Sequence, residues 1–249
     1  MAPRTRRRRR TGRPLRERLG WLLREHQVLH DPGRERRNHL PWLPELRRWQ
    51  THRLEASFDR FLRDPRRRPA AQFFLADVYN EHDFSQRDAD IARVLPMMQR
   101  LLPAALLETV ADAIELGLLT HAFDLRMAQV LHDIGGSRRR LDAALYARAY
   151  RLCGLPRLRA YQIDLLARVG TGLADALRLP GVGTLLRLSR GPARAAGLSE
   201  LQGFLERGFA AFAQLGDAKR FIAEIEQDER EVSRRLFAGD PEPFGTARF

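Results

Sequence analysis

The sequence predicts an all-α protein, an irregular globular array of about nine to eleven helices. Three observations carry that prediction. Apolar residues recur at three- and four-residue spacing from Pro44 to Phe237. Prolines, glycines and Ser, Thr or Asp caps fall between the periodic runs. No run alternates with the period of two that marks a half-buried strand.

Taken in order, Leu15 to Leu29 reads as a short first helix, ended by the breaker-rich DPGRERRNHLP. Leu46, Trp49, Leu54, Phe58 and Phe61 then mark a helix from Pro44 to Arg63, with Pro44 in its first turn and Asp64-Pro65 as its stop. Pro69 opens a short helix through AAQFFLADVY. Ser85-x-x-Asp88 reads as a capping box for a helix carrying Ile91, Leu95, Met98 and Leu102, kinked at Pro96.

Pro103 begins a helix with Leu106, Val110, Ala113 and Ile114 on one stripe. Thr120 reads as the N-cap of a separate helix carrying Phe123, Met127, Val130, Leu131 and Ile134, which Gly135-Gly136 ends. Further helices are predicted at Leu141–Leu152, Leu158–Val169, Leu173–Leu179 and Thr184–Leu188. Ser199 is expected to cap Glu200–Leu215, and Asp217–Phe237 forms the last long helix. No period of about 20–50 residues indicates a solenoid.

Composition narrows the function classes. Hydrophobic residues make up 44% and charged residues 30%, the balance of an ordered globular chain. The longest apolar run, Leu101 to Leu107, stops at Glu108, far short of the roughly 18–20 residues that span a bilayer. A membrane role and a secretory signal are therefore not expected. Cys153 is the only cysteine, which excludes an intrachain disulfide and a thiolate cluster, and a reducing, cytoplasmic setting is expected.

The net charge of +13 is unevenly placed. Residues 1–40 hold thirteen arginines against Glu17, Glu25, Asp31 and Glu35, whereas the remaining residues are close to balanced. Only Lys219 among the basic residues is lysine, a uniform preference that reads as codon bias. The expected organisation is a disordered Arg-rich tail over 1–14, a single all-α domain over 15–237 with a possible subdivision near 135–140, and a flexible end over 238–249.

Leu46-Arg47-Arg48-Trp49-Gln50, Arg53-Leu54 and Phe73-Phe74-Leu75-Ala76-Asp77-Val78-Tyr79 resemble an uncharacterised bacterial family with a Phe-Phe-Leu-Glu-Glu-Leu-Tyr type motif. The likeness continues through Asp83-Phe84, Arg87-Asp88, Asp90, Arg93, Pro96 and Leu102-Pro103. It returns from Gly191-Pro192 to Gly208-Phe209, covering about residues 40–235. The chain departs from the motif at Ala76, Asp77 and Val78. The resemblance implies one helical body with a dispensable basic end, and brings no activity or cofactor.

Four groups of residues have the chemistry of a site. The densest comprises Asp77, Tyr79, His82, Asp83, Arg87, Asp88 and Asp90, where Asp and His suit a divalent ion or an acid–base pair. Capping by Ser85 and Asp88, and the placement of Asp90 in a first helical turn, explain much of it structurally. Leu131-His132-Asp133-Ile134-Gly135 resembles the central signature of His-Asp metal-dependent phosphohydrolases. On one continuous helix, however, His121 would lie about 16 Å from His132, too far to share a metal.

Glu108, Asp112 and Glu115 fall opposite the apolar stripe at about 100° per residue, so the expectation is a solvated face. Leu179-Pro180-Gly181-Val182-Gly183 resembles the hairpin of helix-hairpin-helix modules, in which Gly181 and Gly183 would approach a phosphate and Arg187, Arg190 and Arg194 would add contacts. No cofactor and no supported metal site is expected. The leading functional expectation is a non-enzymatic structural or interaction protein with an unidentified protein partner. The alternatives are nucleic-acid binding through the tail and residues 181–194, and a metal-dependent hydrolase using His82, Asp83, Asp88, His132 and Asp133. The tail itself should bind polyanions weakly and without sequence preference.

Overall fold

The computed structural model describes residues 14–78, 103–136, 140–195 and 197–245; among these it has ten α-helices and no strand. They are α1 (Leu15–His30), α2 (Trp42–Arg63), α3 (Arg68–Phe73), α4 (Ala104–Gly135), α5 (Ala143–Cys153), α6 (Pro156–Leu177), α7 (Val182–Leu188), α8 (Arg190–Ala195), α9 (Ser199–Ala213) and α10 (Ala218–Ala238). The all-α prediction holds. The expected helix from Ser85 to Leu102 and the Arg-rich tail lie outside the described residues.

Local signals set most boundaries. The Asp142 carboxylate accepts from the Leu145 N–H at 2.7 Å, and that of Asp217 from the Arg220 N–H at 3.0 Å, capping α5 and α10. Gly239, at φ 77°, closes α10 in the left-handed conformation. Ser199 is instead the first residue of α9, which follows Leu198 without a side-chain cap.

Two expected breaks are absent. Thr120 does not cap a new helix, because α4 runs unbroken from Ala104 to Gly135. Its hydroxyl accepts from Gln162 Nε2 at 2.7 Å, so it joins α4 to α6 instead of ending a turn. The predicted pair Leu158–Val169 and Leu173–Leu179 is likewise the single helix α6. The intervening glycines serve close packing. A β-carbon on Gly170 would sit 2.5 Å from Ile222 Cδ1 of α10, and one on Gly172 would collide with Thr109 of α4.

Helix α4 lies between neighbours, packing on α1, α2, α5 and α6. Toward α1 it buries Leu107, Ala111, Ile114 and Leu118 against Leu19, Leu22 and Leu23. Toward α2 and α5 it buries Leu125, Met127 and Leu131 among Trp42, Leu46, Trp49, Tyr146 and Tyr150. A second, aromatic core joins the end of α2 to α3, α9 and α10 through Phe58, Phe61, Phe73, Phe74, Phe212 and Phe221. A wide π-turn over Phe74–Val78 follows α3, and the consecutive Phe73 and Phe74 are both buried. Beyond α10, in the segment read as a flexible end, Phe244 meets Trp49 edge-on at 5.5 Å and packs on Tyr146.

Candidate functional site

The most unusual constellation among the described residues is a stack of three imidazoles. His26 and His30 sit one turn apart on α1, so their rings share a face, with centroids 4.0 Å apart. His121, from the middle of α4, stacks on His30 at 3.8 Å, again at 18° between planes. His121 is buried, while His30 is exposed and His26 half-buried.

Arg47 of α2 fixes the protonation of the buried ring. Its guanidinium lies 2.8 Å from His121 Nδ1 and can only donate, so Nδ1 must be the accepting nitrogen. The proton is then on Nε2, which faces the Leu29 backbone without completing a well-formed hydrogen bond. This tautomer is unsuited to metal binding. A ligating imidazole offers its bare nitrogen to the metal, and here that nitrogen, Nδ1, is already taken by the Arg47 guanidinium.

Burial, with the neighbouring His30 and Arg47, pushes the His121 imidazole down to about 3. Its unfolded value is about 6.5. A group whose folded value is depressed in this way stays neutral in the fold, while the unfolded chain takes up the proton. Its contribution is complete above about pH 6.5 and is lost as pH falls toward 3. Urea unfolding between pH 7 and 5 should therefore show a loss of about 2 kcal/mol attributable to His121. His121→Gln should remove that part of the slope, and an unchanged pH dependence in the variant would refute the assignment.

Around the stack, buried polar groups tie helices together. Asp124, one turn beyond His121, accepts from Gln50 Nε2 at 3.2 Å and lies 3.7 Å from Arg47 Nε. Burial raises its carboxyl despite the guanidinium. On the same face of α2, the buried Arg53 donates to Glu229 of α10 at 2.5 Å. Beside the stack, hydrogen bonds from Arg37 hold the Glu35 carboxyl at about 2.

Of the three acids expected on a solvated face of α4, Glu108 is exposed, but Asp112 and Glu115 are covered. Glu115 is only 3% exposed. Arg18 of α1 reaches Asp112 at 2.6 Å and Glu115 at 2.8 Å, Arg168 of α6 reaches Asp112 at 2.7 Å, and the Tyr161 hydroxyl donates to Glu115 at 3.2 Å. The wheel correctly places these acids off the Leu106–Ile114 stripe, but α1 and α6 cover that side too. Arginine is the side chain that can follow a carboxylate into such a seam.

The residues singled out in the sequence are not drawn to this stack. Asp77 falls in the π-turn, and Tyr79, His82, Asp83, Arg87, Asp88 and Asp90 lie outside the described residues. His132 and Asp133 are exposed near the end of α4, where Asp133 accepts from Gln129 at 3.0 Å. Gly181 has φ 85° and turns the chain into α7, whereas Gly183 packs against Phe209, whose ring would lie 3.0 Å from an added β-carbon. Arg190 is held by Glu206 through two hydrogen bonds of 2.6 and 2.8 Å, and Arg187 reaches Thr184 at 3.3 Å. Arg194 is exposed. Burial raises the Cys153 thiol to about 11, so it is protonated at neutral pH and packs as an apolar residue.

Sequence reasoning missed His26, His30, His121, Arg47 and Asp124. Two signals were present: the one-turn spacing of His26 and His30, and the polar row Arg47, Gln50, Arg53 at three-residue spacing on α2. Neither shows which helix lies opposite.

Helices riveted around a doubly packed α4 by buried arginine, histidine and carboxylate groups define an all-α multi-helix protein. The chain belongs to the family described as a domain of unknown function, DUF8198, whose model matches residues 29–243. No curated protein and no solved structure matches it. The match takes in His30, Arg47, His121 and Asp124 and leaves His26 and Arg18 outside.

Proposed function

We propose that this protein works in the cytoplasm by binding another macromolecule, without catalysing a reaction. The observation that carries this reading is the use made of the reactive side chains on α4. Asp112, Glu115, His121 and Asp124 are each engaged by groups from other helices, namely Arg18, Arg168, Tyr161, Arg47 and Gln50. A catalytic acid or base must instead be free to meet a substrate proton. These four side chains of α4 hold helices together.

The test is site-specific photo-crosslinking in cells, with the reactive residue placed in turn at the exposed positions Arg48, Leu152, Leu205 and Gln227. A discrete adduct from at least one position is expected, and it should persist in His121→Gln. Absence of any adduct, together with turnover of a small substrate, would overturn the reading.

A second reading, nucleic-acid binding, is favoured by the seven arginines within residues 1–13. The Arg190–Glu206 pair neutralises one of the cations that residues 181–194 would contribute, so this reading leans on the tail. Seven phosphate contacts would give a slope of log affinity against log salt of at most about −6 on duplex DNA. Deleting residues 1–13 should abolish most of that slope and leave the unfolding midpoint nearly unchanged. Steep salt dependence surviving the deletion would move the interface to the helical body.

A further inference from the structure

We propose that the corner where α5 ends and α6 begins docks an acidic segment of a partner protein that also presents an apolar side chain; this rests on the partner-binding reading above. Leu152 and Leu155 stand there 54% and 46% exposed, with the exposed Pro156 beside them. Leu152 is on the outer face of α5, and Leu155 occupies the N-cap position of α6.

Leu155 adopts φ 63° and ψ 45°, the left-handed region. That conformation is unfavourable for a residue with a β-carbon and natural for Gly or Asn. Leucine also makes no side-chain cap for α6, where Ser, Asp or Asn would. The free protein thus holds an apolar side chain in solvent, in a backbone state that suits smaller or polar residues. Burial in a partner would make use of it.

The rim supplies the charge. Residues 143–163 contain four arginines and no acid. Arg159 turns inward, over the Phe123 ring at 3.8 Å. Arg148 lies one turn before Leu152 on α5, Arg151 is in the last turn of α5, Arg157 follows Pro156, and all three are exposed. Arg126 of α4 joins them, its Nε donating to the Cys153 carbonyl at 2.7 Å. Among the described residues none of these four arginines has a carboxylate partner. Elsewhere, exposed Arg60 pairs with Asp228, Arg190 with Glu206 and Arg230 with Asp164, whereas Arg66, Arg178 and Arg194 stand singly among the described residues without a carboxylate partner.

An apolar knob ringed by unneutralised guanidinium groups is complementary to carboxylates set around an apolar side chain. The chemistry favours a protein over the other polyanions. Single-stranded nucleic acid is gripped by aromatic stacking, and leucine offers no such face. A membrane-binding helix lays down a long apolar stripe, whereas this one ends after Leu152 and Leu155.

The test uses the full chain and a displayed library of random peptides about 15 residues long. Selected peptides should be acidic, with Leu, Phe or Trp at helical spacing among the carboxylates. Leu152→Gln with Leu155→Asn should weaken the selected peptides about tenfold, and the unfolding midpoint should not fall, since Asn tolerates the left-handed conformation. Arg148→Glu with Arg151→Glu should turn the selection toward basic peptides. Acidic peptides that bind the wild type and both variants equally would place the contact elsewhere, the N-terminal tail included, and overturn the proposal. So would a non-acidic pool, or phosphatidylserine vesicles or duplex RNA whose binding the same variants abolish while peptide binding persists. If photo-crosslinking finds a partner at another position and this corner stays silent, the site fails and the partner-binding reading stands.

Discussion

Phe74→Ala should lower the unfolding free energy by about 3–5 kcal/mol, measured by equilibrium urea denaturation. Phe74 is 7% exposed and stands where α2, α9 and α10 converge. Its ring lies 5.8 Å from Phe212, 6.1 Å from Phe221 and 6.4 Å from Phe58. Alanine would remove that burial and leave a cavity walled by rigid rings, which collapse poorly. Leu188→Ala provides the contrast. Leu188 is 72% exposed, so the change should stay within about 0.5 kcal/mol. An effect at Phe74 as small as that at Leu188 would mean that the aromatic cluster does not hold these helices together.

Arg18→Met should be comparably severe at neutral pH, at about 3–5 kcal/mol, because it removes the guanidinium that Asp112 and Glu115 share in the seam between α1 and α4. Asp112 would keep Arg168 and Glu115 the Tyr161 hydroxyl, while the Arg18 link from both acids to α1 would be lost. Equilibrium urea denaturation of the two proteins at pH 7 measures the difference. A deficit within about 0.5 kcal/mol would show that these ion pairs do not hold α1 to α4.

Much of the fold was legible because the signals are local. Pro44 and Asp64 bracket α2 closely, and Asp217, read as the first residue of the last helix, stands one position before it as the cap of α10. The errors share one cause. Thr120, and Gly170 with Gly172, carry the residue types of breaks, yet α4 and α6 run through them because neighbouring helices use the hydroxyl and the missing β-carbons. A packed neighbour offsets a local preference worth about 1 kcal/mol or less.

The candidate site was legible only in fragments. Along the sequence His121 relates only to His132 on the same helix, whereas its partners come from α1 and α2. The helical wheel gives the side of α4 on which Glu115 lies but not Arg18 and Tyr161, which cover it, since a wheel reports direction and not what lies in that direction.

By itself, then, the sequence determined the helical class, most helix ends, the uneven charge and the single thiol, because each follows from composition or from interactions within about four residues. The tertiary structure decided which polar groups are buried and what they meet. His121 and Arg47 are 74 residues apart, Arg18 and Glu115 are 97 apart, and Arg53 and Glu229 are 176 apart. Burial, which displaces the His121 imidazole, depends on the packing of whole helices, and no spacing within one helix encodes it.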